Sequence, residues 1–294
     1  KSHCHPPYLL SMSSSCCCCC CCFTCLEPND PVRAVTSRFL SQRSFLCYKV
    51  IATIYFVFWS FFWPFGEDID DAHKFVTYWG WYMAAIYFLV STATAYSFLG
   101  SPMASDGPVR GTHAVTPHRG NRNQPLSSNR RALLGFQVFS WNVACVGSLV
   151  IVTVFWVALF DNTPLTSTDV NAHILIAPVM AIDQLLVATK FERKQMLASF
   201  LFSITYVAFN IIFFLTAPED ERVIYGQMDW GESVGNSAAF AAVVAFVLVP
   251  LGGLIHYCVF RLREYIYETC GGGSRPSSHS DIEKGGVVTA IFSR

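Results

Sequence analysis

The sequence predicts an all-α polytopic membrane protein, a six-transmembrane-helix bundle with both termini in the cytoplasm, and two observations lead to this fold class. The first is a set of six long apolar runs, and the second is an alternation of charge between the segments that connect them. Composition agrees, because 53% of the 294 residues are hydrophobic and only 14% are charged. That balance is too apolar for an ordinary soluble domain.

The six apolar runs are mostly as long as the roughly 20 helical residues that cross a bilayer. They lack the alternation of barrel strands, and a backbone in hydrocarbon must satisfy its own hydrogen bonds, so they predict helices. The fourth run is the shortest. The predicted spans are residues 48–65, 78–99, 134–160, 173–188, 196–216 and 237–260.

The connections between the runs are alternately basic and acidic. Of the 20 Lys and Arg residues, only Lys74 and Arg222 lie in the acidic set, and Lys49 is assigned to the basic segment that precedes the first run. Because cytoplasmic segments retain Lys and Arg, this alternation predicts that both termini face the cytoplasm. The formal net charge of zero hides this asymmetry, and we expect no nucleic-acid partner.

Three regions follow from this topology. Residues 1–44 form a largely disordered cytoplasmic tail that is basic and rich in cysteine, residues 45–267 form the membrane domain, and residues 268–294 form a flexible cytoplasmic tail. Within the membrane domain, the loop 100–131 is basic, rich in Pro, Gly, Ser and Asn, and predicted to be disordered. Such a loop either stays solvated or lies against anionic lipid head groups.

The N-terminal tail contains an unusual run of cysteines. Disulfides are not expected there, because the cytoplasm is reducing. Two interpretations remain: multiple S-palmitoylation, which adds membrane affinity with each acyl chain, or a low-complexity tract without a function. The candidate lipidation sites are Cys16, Cys17, Cys18, Cys19, Cys20, Cys21, Cys22 and Cys25.

The short motifs of the common enzyme classes are not found in the sequence. It has no Walker loop, no dinucleotide fingerprint, no HExxH and no paired CxxC motif, and each of these motifs positions a phosphate, a cofactor or a metal ion. We therefore expect no metal ion and no cofactor. The expected partners are membrane lipids.

Small residues recur along the sixth run. Ser237, Ala241 and Ala245 follow one another at four-residue spacing, and such a face lets another helix approach closely. The pattern indicates either close packing inside the bundle or a homodimer that forms through helix 6.

Polar side chains inside the apolar runs are candidates for function, because a membrane helix carries them at an energetic cost. Asp183 follows His173 by ten residues, roughly 15 Å of helix rise, which predicts a position near the middle of the bilayer. A charged Asp there must be paired or protonated and should face the bundle interior. It marks either a proton or substrate site or a hydrogen bond to Asn142 or Asn210, because no basic residue is assigned to the same depth.

Several motifs follow one another at defined spacing along the membrane domain. They are Val152-Thr153-Val154-Phe155-Trp156, His173 with Pro178 and Asp183, Tyr225 with Asp229-Trp230, and the stretch from Pro250 through His256 to Arg261. In order and spacing they resemble the rolling stone proteins, a family of multipass membrane proteins connected with myoblast fusion in insects. The resemblance implies a membrane protein linked to cell fusion, and the spans fit either the plasma membrane or the endoplasmic reticulum.

More distantly, the chain is similar to the androgen-induced family of transmembrane threonine hydrolases, which cleave fatty acid esters of hydroxy fatty acids. Lys74-Phe75-Val76-Thr77 matches the segment with that family's nucleophilic Thr, and His173 matches its His. The residues that flank His173 depart from the hydrolase pattern. The resemblance implies Thr77 and His173 as a catalytic pair.

The predicted topology supports that pair, because Thr77 and His173 each open a helix at the outer boundary and share a depth. A Thr hydroxyl is a weak nucleophile that needs a base within hydrogen-bond reach, and Asp169 or Asp229 would orient the imidazole from the outer loops. The alternatives are a Thr that caps a helix and an interfacial His. The hypothesis is a lipid ester hydrolase whose acyl chain enters between helices 2 and 4.

Overall fold

The computed structural model describes residues 34–62, 75–99, 127–160 and 167–270. These residues form six helices, which we name α1 to α6. Their bounds are α1, Gln42–Phe62; α2, Val76–Ser97; α3, Ser128–Val154 with the π-helical turn Phe155–Leu159; α4, Ser167–Val170, the π-helical turn Asn171–Leu175 and Ile176–Leu186; α5, Met196–Thr216; and α6, Val234–Val243, the π-helical turn Val244–Leu248 and Val249–Cys270.

Four of these helices contain stretches that are long and apolar enough to cross a membrane. The stretches are Gln42–Phe61, Ser128–Leu159, Met196–Thr216 and Val234–Thr269. A fifth apolar stretch, Asn171–Leu186 in α4, is shorter. The prediction of an all-helical integral membrane protein is therefore confirmed for the part of the chain that the structure describes.

Helix α3 lies at the centre of the bundle and contacts α2, α4, α5 and α6, while α1 packs on α2. One aromatic core is shared by α1 to α4. Within it, Phe56 of α1 stacks on Phe88 of α2 at 5.0 Å and meets Trp81 of α2 at 4.7 Å between ring centroids. Gly80 allows α2 and α3 to approach, because a Cβ at that position would collide with Ile151.

The end of the bundle at which α2, α4 and α6 begin is called the Thr77 end here, and the opposite end is called the Arg263 end. At the Arg263 end, residues 34–41 cross the end of α4, and the Ala188 amide donates to the Thr36 carbonyl at 2.9 Å. Arg263 of α6 is buried and donates to the Gln184, Val187 and Thr189 carbonyls. The last carbonyls of a helix have no partner within the helix. The hydrogen bonds from Arg263 satisfy carbonyls at the end of the short α4.

The small residues of the sixth run are covered by the chain's own helices. Ser237, Ala241 and Ala245 are 1%, 8% and 2% exposed, so they pack inside the bundle. A homodimer through helix 6 stays a prediction.

Several predicted features lie outside the described residues. These are the candidate lipidation cysteines between Cys16 and Cys25, most of the loop 100–131 and most of the C-terminal tail.

Candidate functional site

Helix α2 begins beside a tyrosine from the connection between α5 and α6. Phe75 precedes the helix in an extended conformation without a side-chain cap, and the first helical amide, that of Val76, donates to the Tyr225 hydroxyl at 3.1 Å. Thr77 is therefore the second residue of the helix and not its cap. Its side chain is buried.

His173 lies on the π-helical turn of α4, directly opposite the π-helical turn that ends α3. Its ring stacks on the Phe155 ring with 3.8 Å between centroids and 4° between planes. The Tyr55 hydroxyl donates to the Asn171 side chain at 2.9 Å and holds the start of the turn. The Nδ1 atom of His173 is buried and has no hydrogen-bond partner among the described residues.

Thr77 and His173 line the same cavity, which has a volume of about 70 Å³. The cavity lies mainly between α3, α5 and α6, and its walls are mostly Val, Ile, Leu and Phe side chains. The polar side chains on its walls are Thr77, His173, Ser199, Ser203, Tyr206 and Tyr225. The site is thus a narrow apolar cavity whose Thr77 end carries a Thr, a His and two Tyr side chains.

The cavity bears on the hypothesis that an acyl chain enters between helices 2 and 4, which stays a prediction. Only Val76 and Thr77 of α2 and only His173 of α4 reach the lining. The aromatic core that α1 to α4 share occupies the remaining space between α2 and α4. Most of the cavity lining comes from α3, α5 and α6.

Sequence reasoning missed two tyrosines that line the cavity together with Thr77. The Tyr225 hydroxyl is within hydrogen-bond reach of both the Tyr206 hydroxyl and the Thr77 hydroxyl, besides the Val76 amide. Burial raises the pKa of Tyr225 to about 12, so this phenol stays protonated at neutral pH. Tyr225 was part of the pattern that carried the family resemblance, and that was its only signal in the sequence.

Of the two acidic residues considered for orienting His173, one is well placed and one is already engaged. Asp169 lies one helical turn before His173 on α4, and its charge acts on the imidazole. The Asp229 carboxylate accepts the amides of Gly231 and Glu232 at 2.8 and 3.1 Å, which closes the turn before α6. Asp169 is therefore the better candidate.

Asp183 forms a buried ion pair that sequence reasoning did not foresee. Its Oδ1 lies 2.5 Å from the Lys49 Nζ, and both side chains are 0% exposed. The Tyr87 hydroxyl donates to Asp183 Oδ2 at 2.6 Å and accepts from Lys49 at 2.6 Å.

The assignment of Lys49 to a basic loop is wrong, because α1 begins at Gln42 and carries Lys49 inside the bundle. Phe45, Lys49, Ala52 and Phe56 recur at helical spacing on one buried face. This spacing was the signal in the sequence that Lys49 belongs to the helix.

The two asparagines considered as partners of Asp183 bind elsewhere. The Asn142 side chain donates to the Val138 carbonyl of its own helix at 2.8 Å. The Asn210 side chain accepts the Trp230 indole N–H at 2.7 Å, which ties the connection between α5 and α6 to α5. The predicted hydrogen bond between Asp183 and either asparagine is therefore replaced by the ion pair with Lys49.

The fold and the cavity define a class, a helical integral membrane protein with an internal apolar cavity that is polar at one end. No protein-family model, curated protein or solved structure matches the chain. The likeness to the rolling stone and androgen-induced families stays a prediction, and function is argued from the site. Within the described ranges, no group of three His, Cys, Asp or Glu side chains is placed to hold a metal ion.

Proposed function

We propose that the chain is a membrane-embedded hydrolase of lipid esters, with Thr77 as nucleophile and His173 as general acid and base. One observation carries the proposal: these two side chains line the same cavity, at the end where its polar groups gather. They come from helices that are far apart in sequence, and a shared cavity is what a nucleophile and its base require.

The chemistry follows from the two side chains. The Thr77 oxygen attacks the ester carbonyl carbon while His173 takes the hydroxyl proton. The bond to the leaving oxygen then breaks, and His173 returns the proton to the departing alcohol. A water molecule, deprotonated by His173, attacks the acyl-threonine carbonyl. The bond to the Thr77 oxygen then breaks, His173 returns the proton to that oxygen, and the carboxylic acid is released. Asp169, one turn away on α4, stabilises the imidazolium in both halves of the reaction.

The shape of the cavity favours a substrate with an alkyl chain. Its walls beyond the Thr77 end come from the apolar faces of α3, α5 and α6, and removing each methylene of a chain from water contributes about 0.8 kcal/mol. Fatty acid esters of hydroxy fatty acids, the substrates of the androgen-induced family, fit this description because both products of their cleavage carry an alkyl chain.

We also propose six membrane crossings, with the Thr77 end outside the cytoplasm and both termini inside. The support is charge: Arg38, Arg43, Lys190, Lys194 and Arg261 lie toward the Arg263 end, whereas Glu219, Asp220, Glu221, Asp229 and Glu232 lie toward the Thr77 end. Such a protein resides in the plasma membrane or the endoplasmic reticulum. An epitope inserted at Asp220 should be accessible on intact cells if the protein is in the plasma membrane, and should be protected from protease added to sealed microsomes if it is in the endoplasmic reticulum. Accessibility from the cytosolic side would reverse the orientation.

Labelling with an alkyl fluorophosphonate tests the hydrolase directly, because the probe transfers its phosphonyl group to an activated hydroxyl with loss of fluoride. We expect membranes that contain the wild type to be labelled and membranes that contain Thr77→Ala to remain unlabelled. Thr205→Ala is the matched control, since Thr205 is exposed on α5 and its hydroxyl donates to the Leu201 carbonyl of the same helix. Equal labelling of wild type and Thr77→Ala would remove Thr77 from the mechanism.

A role in cell fusion, as in the rolling stone family, is the second proposal. Its support is the resemblance of the motifs around Phe155, His173 and Tyr225, which are the residues that build the Thr77 end. Fusion would then depend on lipid composition set by the hydrolase. A cell-fusion assay with folded His173→Ala separates the two proposals, because fusion that survives this change does not use the site.

A further inference from the structure

We infer that Gly147 sets the length of the acyl chain that the cavity accepts, and that this chain has roughly six to eight carbons. The inference rests on the proposed hydrolase function and deepens it, because Thr77 and His173 alone leave the acyl length open. The occupant of the apolar space is the alkyl tail of the acyl group that Thr77 carries in the intermediate.

Gly147 belongs to the face of α3 that lines the cavity. The lining residues of this face recur at the spacing of successive helical turns, and the Cα–Cβ bonds at such positions point the same way. They are Val143, Val146, Gly147, Val150, Ile151 and Val154. Gly147 is the member of this face that has no side chain, so the wall of the cavity is set back there.

Helix packing does not explain why Gly147 is a glycine. A Cβ at Gly80 would collide with Ile151, and a Cβ at Gly253 would collide with Met196, so these two glycines let helices approach. A Cβ at Gly147 would meet no neighbouring helix within 4 Å. Glycine inside a helix is less stable than alanine, and no helix contact among the described residues requires it here. The open space beside this lining residue is where a ligand fits.

The depth of Gly147 follows from the helix geometry. Gly80 meets Ile151 where α2 packs on α3. Thr77 lies three residues from Gly80, toward the Thr77 end, and Gly147 lies four residues from Ile151 in the opposite direction. At about 1.5 Å per residue, Thr77 and Gly147 are roughly 10 Å apart along the bundle. An extended alkyl chain advances a little less than its C–C bond length of about 1.5 Å per carbon, so roughly seven or eight carbons cover this distance.

The volume of the cavity leads to a similar chain length. A buried water needs about 10–15 Å³ of a cavity, so a cavity of about 70 Å³ holds roughly five to seven groups of that size. A methylene group is about as large as a water molecule. Depth and volume therefore both favour an acyl chain of medium length.

Beyond Gly147 the walls of the cavity come together. The Ser199 hydroxyl donates to the Asn142 carbonyl at 3.1 Å and ties α5 to α3. A Cβ at Gly252 would lie 3.1 Å from the Val146 side chain, so α6 rests directly on α3 at this level. The tail of the acyl chain therefore ends beside Gly147.

Alkyl phosphonofluoridates of two chain lengths test the inference, because the alkyl group on phosphorus takes the place of the acyl chain. Each buried methylene favours binding by about fourfold. We expect the wild type to react with an octyl probe at least about tenfold faster than with a butyl probe. In Gly147→Leu the new side chain fills the space that the outer carbons need, so the octyl-to-butyl ratio of rate constants should fall to about one. Gly147→Ala should lower this ratio in part.

Gly235→Leu is the matched control, since Gly235 is an exposed glycine of α6 whose Cβ would also meet no neighbouring helix within 4 Å. It should keep the wild-type ratio. Thermal unfolding in detergent checks the fold of each variant. Gly147→Ala should unfold at a higher temperature than the wild type, because alanine favours the helix and meets open space. A lower unfolding temperature would mean that the position is packed and would overturn the inference.

The ratio separates this inference from the hydrolase itself. A ratio near one in the wild type, or a wild-type ratio in Gly147→Leu, would overturn the inference and leave the hydrolase standing. If Gly147→Leu reacts with neither probe, Gly147→Ala decides, and a wild-type ratio in that variant overturns the inference. Labelling by either probe that does not depend on Thr77 would overturn both.

Discussion

The ion pair between Lys49 and Asp183 predicts that replacing one partner lowers the free energy of unfolding much more than replacing both. Both groups are fully buried and 2.5 Å apart, so water does not screen them. At an effective dielectric constant of about 20, Coulomb's law gives an attraction of roughly 7 kcal/mol at this separation. Desolvation of two ions offsets most of that gain, and the net value of a buried pair over an apolar one is near zero.

Removing one partner is different, because the remaining charge keeps its desolvation cost and loses its compensation. We expect Lys49→Met and Asp183→Leu each to lower the free energy of unfolding by about 3–5 kcal/mol. The double variant should recover most of that loss, since two apolar side chains fill the volume without an ion. Tyr87 is a third member, and its hydroxyl loses both partners in the double variant, which limits the recovery.

Thermal unfolding of the purified protein in detergent measures this asymmetry, with ligand-free samples at matched detergent concentration. Lys190→Met is the control for loss of a positive charge, because Lys190 is exposed between α4 and α5. The reasoning is refuted if the two single losses add up in the double variant, because additive effects mean that the residues do not interact. A stable Lys49→Met variant would refute it as well.

Two further predictions concern the ends of the bundle. Arg263→Met should lower the free energy of unfolding by about 3 kcal/mol or more, since it leaves buried carbonyls at the end of α4 without donors. Arg261 is exposed, and Arg261→Met should change the free energy of unfolding by less than about 0.5 kcal/mol. Equal losses in the two variants would contradict the role of Arg263 as a cap of α4. The pKa of Tyr225 is higher in the folded protein than in the unfolded chain, so folding favours the protonated phenol. The stability that this preference contributes is fully present below about pH 10 and is lost as the pH rises to about 12. Urea unfolding should show a steeper alkaline loss in the wild type than in Tyr225→Phe, and parallel curves would contradict this linkage.

The helical membrane class follows from the sequence because hydropathy over 20 residues is a local property. Helix α5 illustrates this, since its observed bounds, Met196–Thr216, are the predicted 196–216. The run contains no Asp, Glu, Lys or Arg, and it is bounded by Lys194 on one side and Pro218 on the other. Where the ends of a run are marked so clearly, composition alone locates the helix.

The first helix shows where such reasoning stops. A Lys at the edge of an apolar run has the same local appearance whether it lies in water or faces a carboxylate inside the bundle. Lys49 and Asp183 are 134 residues apart in sequence, and no periodicity within either helix relates one to the other. The tyrosine pair beside Thr77 was missed for the same reason, because Tyr206 and Tyr225 meet only when the connection after α5 folds back onto α2.

The Lys49 pair also has a consequence for biosynthesis. When α1 leaves the ribosome, its lysine precedes the aspartate of α4 by 134 residues, and at translation rates of about 5–20 residues per second the interval is on the order of ten seconds. During that time the nascent chain holds an uncompensated ammonium group at the edge of the lipid phase. We therefore expect the first helix to remain near the insertion machinery until the fourth arrives.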